Sequence, residues 1–251
     1  MKRHGRRIVI SPGILYGTLA AVLAVLLLIG IMGIVGSGND VESAQESTAG
    51  NTVHEDGDSV SSAEPIAFPF VLENGLLTVE SVFQFSGPNP DAGMQNVTDI
   101  AAVLVGNSSE RYLDSAEIRV TLQSGAERTF TVSDIPAGTT AMAFSSANEK
   151  LSESDACVGI SAKAAFMDVK EISGLAVTVE GAEITLQNNS GEDLEKIDVY
   201  CREFYNESFF GGSAYTYTIP KIAAGERAVV VASECILGSA TVVRIAVNNQ
   251  K

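Results

Sequence analysis

Beyond residue 65 the chain is written in short apolar runs with a period of two, separated by Gly, Asn, Asp and Ser. Ala116, Ile118, Val120 and Leu122 alternate with Glu117, Arg119 and Thr121. Ile197, Val199 and Cys201 alternate with Asp198, Tyr200 and Arg202. Period two places successive side chains on opposite faces of a strand, so this pattern predicts antiparallel sheets with one buried and one wet face. On that reading Asp198, Tyr200 and Arg202 face water. No stretch after residue 65 sustains a period of 3.6, and 150–155 offers at most one helical turn.

The pattern repeats. TFTVSDIPAG at 129–138 aligns without a gap with TYTIPKIAAG at 216–225, 87 residues on, and the register continues from Met142 and Phe144 to Val229 and Val231. Upstream, LVGNS at 104–108 matches LQNNS at 186–190, which pairs Asn107 with Asn189. Each unit reads as strand, Asn-Ser turn, strand, hairpin, strand, Ile-x-Ala-Gly turn, strand, polar loop, strand. A boundary near Asp168 gives two segments, 67–168 and 169–251, each long enough for a small β-sandwich core. The predicted fold is mainly β, with two tandem antiparallel Ig-like β-sandwiches.

The N-terminal quarter has another texture. Residues 8–35 carry no charge and 14–35 are almost wholly apolar. As a helix, 14–35 would span ~33 Å against a hydrocarbon core of ~30 Å, which predicts a single transmembrane helix; a secretory h-region is shorter. The basic cluster of Lys2, Arg3, Arg6 and Arg7 precedes this span, so residues 1–13 form a cytoplasmic tail and the bulk of the chain lies outside the cell. Residues 36–66 form the linker. It holds seven acids (Asp40, Glu42, Glu46, Glu55, Asp56, Asp58, Glu64), no Lys or Arg, and abundant Ser, Gly and Thr. Such a composition buries too little apolar surface to offset chain entropy, so a disordered acidic tether is predicted.

Charge and residue content narrow the chemistry. The chain has 31 acidic and 16 basic residues, a net charge of −15, and four of the basic residues lie in the tail. An exported portion this acidic repels phosphate backbones, which excludes nucleic acid as a partner. Both histidines, His4 and His54, fall outside the predicted sandwiches, so His-dependent triads and His-ligated metals are excluded there. No carboxylate pair, Ser/Lys dyad or Gly-rich phosphate loop stands in a setting that would activate it, and no cofactor is expected.

Leu186–Ser190 ending in its Asn-Ser turn, the alternating run 197–205 and the Ile-x-x-Gly-Glu turn at 222–226 together resemble the FxLYD-like and related Ig-like exported domains of Gram-positive (Firmicutes) cell-envelope proteins. The element Gly211-Gly212-Ser213-Ala214-Tyr215 is similar to a Gly-Gly-x-Thr-Tyr segment of the same surface proteins. The likeness covers the second unit and is weaker in the first, where Thr139 stands in place of the Glu. It implies a β-sandwich and an envelope location, and no activity.

Two features are candidate sites. Seven of the chain's 16 aromatics lie within 200–217. Tyr205, Phe209, Phe210 and Tyr215 are the expected binding surface, because Asn206-Glu207-Ser208 and Gly211-Gly212 bracket the aromatics with turn-formers and would push them out as a hairpin tip. If the rings are not exposed, the first unit, a second copy or a ligand must cover them. Cys201 and Cys235 fall within one unit on the oxidising side of the membrane and are a candidate disulfide; Cys157 is left over. Asn96, Asn107, Asn188 and Asn206 begin Asn-x-Ser/Thr triplets, three of them in Asn-rich turns where such triplets arise by chance. These readings predict a membrane-anchored, extracytoplasmic interaction or structural protein of the cell envelope, non-enzymatic, with a protein or cell-wall partner. The alternatives are an accessory or sensory ectodomain of a membrane complex, and an envelope hydrolase using carboxylates.

Overall fold

The computed structural model describes residues 64–248, which fall within one compact unit. The expected tail at 1–13, the membrane helix at 14–35 and all but the last three residues of the 36–66 linker lie outside the described residues. Among the described residues no helix is long and apolar enough to cross a membrane. The described residues are mainly β, with thirteen strands among them: β1 (Phe70–Leu72), β2 (Leu77–Asn89), β3 (Gln95–Asn107), β4 (Tyr112–Leu122), β5 (Glu127–Ile135), β6 (Thr140–Phe144), β7 (Cys157–Met167), β8 (Leu175–Glu180), β9 (Glu183–Asn188), β10 (Leu194–Tyr205), β11 (Ser208–Ile222), β12 (Arg227–Val231) and β13 (Ser239–Val247). Two 3-10 turns, Glu73–Gly75 and Pro90–Ala92, complete the elements. The 150–155 segment forms turns and no helix.

The repeat is present as topology. In the first half, β2-β3-β6 faces β5-β4-β7; in the second, β8-β9-β12 faces β11-β10-β13. Strand for strand, each half is the same sandwich-like arrangement. Each has its own core. Leu77, Val79, Val103, Leu113, Ile118 and Phe130 lie in the first, and Ile184, Leu186, Ile197, Val199 and Cys201 in the second. Residue 168 lies between β7 and β8. The leading strands β2 and β8 lie upstream of the region where the repeat is legible.

One buried side chain explains why each unit carries an Asn-x-Ser motif. Asn107 donates through Nδ2 to the carbonyls of Arg111 (2.8 Å) and Ile135 (2.9 Å), and its Oδ1 accepts from the Ser109 hydroxyl (2.7 Å). Asn188 donates to the carbonyls of Glu192 (2.8 Å) and Ile222 (3.0 Å) and accepts from the Ser190 hydroxyl (2.6 Å). Each Asn stitches the end of one strand to the Ile-x-Ala-Gly turn on the opposite sheet and gives the buried carbonyl there, Ile135 or Ile222, a donor. The equivalence is therefore Asn107 with Asn188. The sequence match, which paired Asn107 with Asn189, is one residue out of register. It followed letter identity, whereas the hydrogen bonds select the Asn two residues before the Ser.

The halves are not separate bodies. Among the described residues every pairing between strands is antiparallel except one: β6 and β11 run parallel, with Phe209 opposite Ala141 and Phe210 opposite Met142. This joint turns β1-β2-β3-β6 of the first half and β11-β10-β13 of the second into a single seven-stranded sheet.

Candidate functional site

The β10–β11 hairpin is where the sequence placed the binding surface. Its loop has two residues, Asn206 and Glu207, both at positive φ, between the paired Tyr205 and Ser208. A two-residue loop of that handedness matches strand twist, and Asn tolerates it. The tip therefore sits where expected, but the rings next to it do not face water. Phe209 is 3% exposed and Phe210 5% exposed, a correction to their predicted exposure. Phe209 enters the core of the first half. Phe210 packs on Phe85 and Phe144, with ring centroids 6.0 and 5.6 Å away. The parallel pairing with β6 draws the start of β11 across the boundary and covers both rings. Gly211 and Gly212, read as turn-formers, lie within β11. A Cβ on Gly212 would stand 2.2 Å from the Thr131 carbonyl oxygen, so this close approach to β5 admits only glycine.

Tyr215 pairs with Cys201 and packs against the core of the second half, which separates it from Tyr205. Burial pushes its phenol up to about 12. Of the four residues expected in the surface, Tyr205 alone is exposed, at 41%.

A charged joint lies beneath the tip. Arg202, expected on the wet face, is fully buried; the register of β10 shifts between Cys201 and Glu203 and turns the side chain inward. Its guanidinium donates to the carbonyls of Ser133 in the first half and Gly211 in the second, and lies 5.3 Å from the Phe209 ring centroid. Burial pulls it down to about 10, with Asp91 and Asp134 opposing. Asp91, in the turn joining β2 to β3, accepts from the backbone N–H of Gly212 (2.8 Å) and Ser213 (3.3 Å). Its carboxyl is raised by burial, against those hydrogen bonds. Alongside, Arg244 donates to Asp134 (2.8 Å) and stacks on Tyr200 with its guanidinium 3.6 Å from the ring centroid, while the Tyr112 hydroxyl donates to the same carboxylate (3.1 Å). Charges buried between two elements are costly to separate, so this network sets how the halves meet.

The next residue, Glu203, is also fully buried and accepts from the N–H groups of Leu237 and of Gly238 (2.6 Å). It clamps the loop between β12 and β13 to the hairpin. A Cβ on Gly238 would lie 2.2 Å from the Phe204 carbonyl oxygen, so loop and strand are in direct contact. The result is an exposed apolar end built from two segments: Phe204 and Tyr205 from the hairpin, Ile236 (63% exposed) and Leu237 from the loop. Phe204 belongs to the aromatic cluster of the sequence but not to the four residues expected in the surface, and Ile236 and Leu237 are absent from that reading. The available signal was an Ile-Leu pair inside a loop that has no strand period.

All three cysteines are buried and carry free thiols. The Cys235 thiol hydrogen-bonds that of Cys201, holding Cys201 below and Cys235 above the usual thiol range. Cys157 lies apart at the start of β7, in the first core, where burial raises it. Among the described residues no group of three or more His, Cys, Asp or Glu side chains is placed to hold a metal. The fold and this end surface define a mainly β, sandwich-like chain with an exposed apolar end. No protein-family model matches the chain, and no curated protein is significantly similar to it.

Proposed function

We propose that the chain is a non-enzymatic, membrane-anchored module of the cell envelope, exposed outside the cell, in which two tandem Ig-like sandwiches of the FxLYD-like kind present a contact surface to a protein or wall polymer. The observation that carries this reading is the apolar end formed by Phe204, Tyr205, Ile236 and Leu237, held by the Glu203 clamp. Exposed apolar side chains on a pre-ordered frame bind with little entropy left to lose. The acidic linker and apolar N-terminal run support anchorage at a distance from the bilayer.

The test places a photo-crosslinking amino acid at Ile236 in the full chain in native membranes. A discrete crosslinked envelope component is expected, and the Ile236→Ser, Leu237→Ser variant should lose it without a change in melting temperature. A fall of several degrees with no crosslinked product would assign the patch to packing. Labelling of a single cysteine placed in the linker should occur in intact cells; labelling only after lysis would reverse the orientation.

A further inference from the structure

The two halves share one topology but are finished differently along one side, where the first strand of each unit overhangs the last. In the first half that side is closed. Ile66 donates its N–H to the Cys157 carbonyl at the start of β7 (2.8 Å), and β1 then pairs with the outer edge of β2. Along this covering segment Ile66, Phe68, Phe70 and Leu72 are partly buried, with exposed residues between them. Ile66, Phe68 and Leu72 pack on the first core. Beneath the segment Leu77 and Val79 are fully buried.

In the second half the equivalent strand is β8. Leu77 pairs with Asn107 and Leu175 with Asn188; Val79 pairs with Val105 and Val177 with Leu186; Val82 pairs with Val103 and Val179 with Ile184. Yet Val177 is 39% exposed where Val79 is fully buried. Val179, on the same face, is also exposed. The segment preceding β8, 168–174, is too short to run back along the strand, and among the described residues nothing pairs with its outer edge. The outcome is a groove of about 370 Å³ lined by Leu175, Val177 and Ile245 and, from the preceding segment, by Val169, Lys170, Glu171 and Ile172, flanked by β8 and β13, the outer strands of their sheets. Natural proteins blunt exposed edges with Pro, Lys, bulges or covers. β8 (Leu-Ala-Val-Thr-Val-Glu) has no Pro, no Lys and an unbroken register.

We infer that this groove takes one extended segment from a partner protein, with apolar side chains at every second position, added along β8 as β1 is added along β2. The first half supplies the chemistry of the occupant: four apolar residues at a spacing of two and a backbone free to hydrogen-bond an edge. The chain's own stretch 37–63 has no alternating apolar run. A second copy's 66–72 segment already makes the same contacts within its own first half, so exchanging it gains nothing. The inference concerns a surface separate from the apolar end and stands independently of that proposal.

The probe is a labelled peptide, Lys-Ile-Thr-Phe-Thr-Phe-Thr-Leu-Lys, titrated against the full detergent-solubilised chain beside a scrambled peptide of the same composition. Saturable binding is expected for the alternating peptide only, with new hydrogen-exchange protection confined to β8 amides. Val177→Lys and Val179→Lys should each weaken binding about tenfold, because each removes one buried valine contact. Their melting temperatures should stay near that of the parent chain. Equal binding of both peptides, protection elsewhere, or no saturation at millimolar peptide would overturn the inference. So would β8 amides protected before any peptide is added, because the groove would then be covered by residues 1–63 or by a second copy.

Discussion

At the residue scale the molecule depends on a few side chains whose partners lie far along the chain. Asn107 and Asn188 are nearly or fully inaccessible and each satisfies carbonyls on the opposite sheet. Replacing Asn107 by Ala strands the buried Ile135 carbonyl and leaves that of Arg111 with the Ser109 hydroxyl as its donor. It should cost about 2–4 kcal/mol by denaturant unfolding, whereas Asn206→Ala at the exposed tip should change stability by less than about 0.5 kcal/mol. The importance of an Asn-Ser turn was legible from its recurrence. Which of the adjacent Asn188 and Asn189 is buried was not, because only the position of the opposite turn distinguishes them. The cysteines follow the same logic. Cys201 and Cys235 carry thiols in contact, while Cys157 lies in the other core. If the chain matures on the oxidising side of the membrane, one thiol should titrate in the denatured, unreduced protein and three after reduction. Three thiols without reductant would mean that the pair stays reduced.

At the scale of elements, β11 does the joining. Its first residues belong to the first half by pairing and burial, and its remainder to the second. Phe209→Ala empties a slot in the first core and should destabilise the protein by about 3–5 kcal/mol; Phe210→Ala, which opens the Phe85–Phe144–Phe210 cluster, should have a similar effect. Both are read as loss of thermal stability. A variant that melted with the parent chain would return these rings to the surface role that their sequence context suggests. Alternation and flanking turn-formers placed the hairpin loop correctly at Asn206-Glu207. They did not show that β6 would lie beside β11, because a parallel pair between residues 68 apart leaves no local pattern (Ala141 against Phe209).

For the whole molecule, the continuous sheet and the buried Arg202 and Arg244 contacts predict one cooperative transition for the two halves. Calorimetric and van't Hoff enthalpies should agree, and fluorescence and circular dichroism should report one midpoint. A chain ending at residue 168 should fail to melt cooperatively, because it lacks Phe209 and Val243, which pack against the first core. Independent melting of that fragment at the parent midpoint would show that the joint adds no coupling.

The sequence by itself determined the β class, the repeat and the hairpin turn at Asn206-Glu207. These follow from period-two patterning and turn chemistry, which are local properties of the chain. Tertiary structure alone decided which of two possible faces each strand buries. Alternation states that Arg202 lies opposite Cys201, and the register shift between Cys201 and Glu203 then sends the arginine into the joint. It also decided that Phe209 and Phe210 are covered while Ile236 and Val177 are not. Burial depends on what packs against a side chain, and here that partner comes from the other half of the molecule or, along β8, is missing among the described residues.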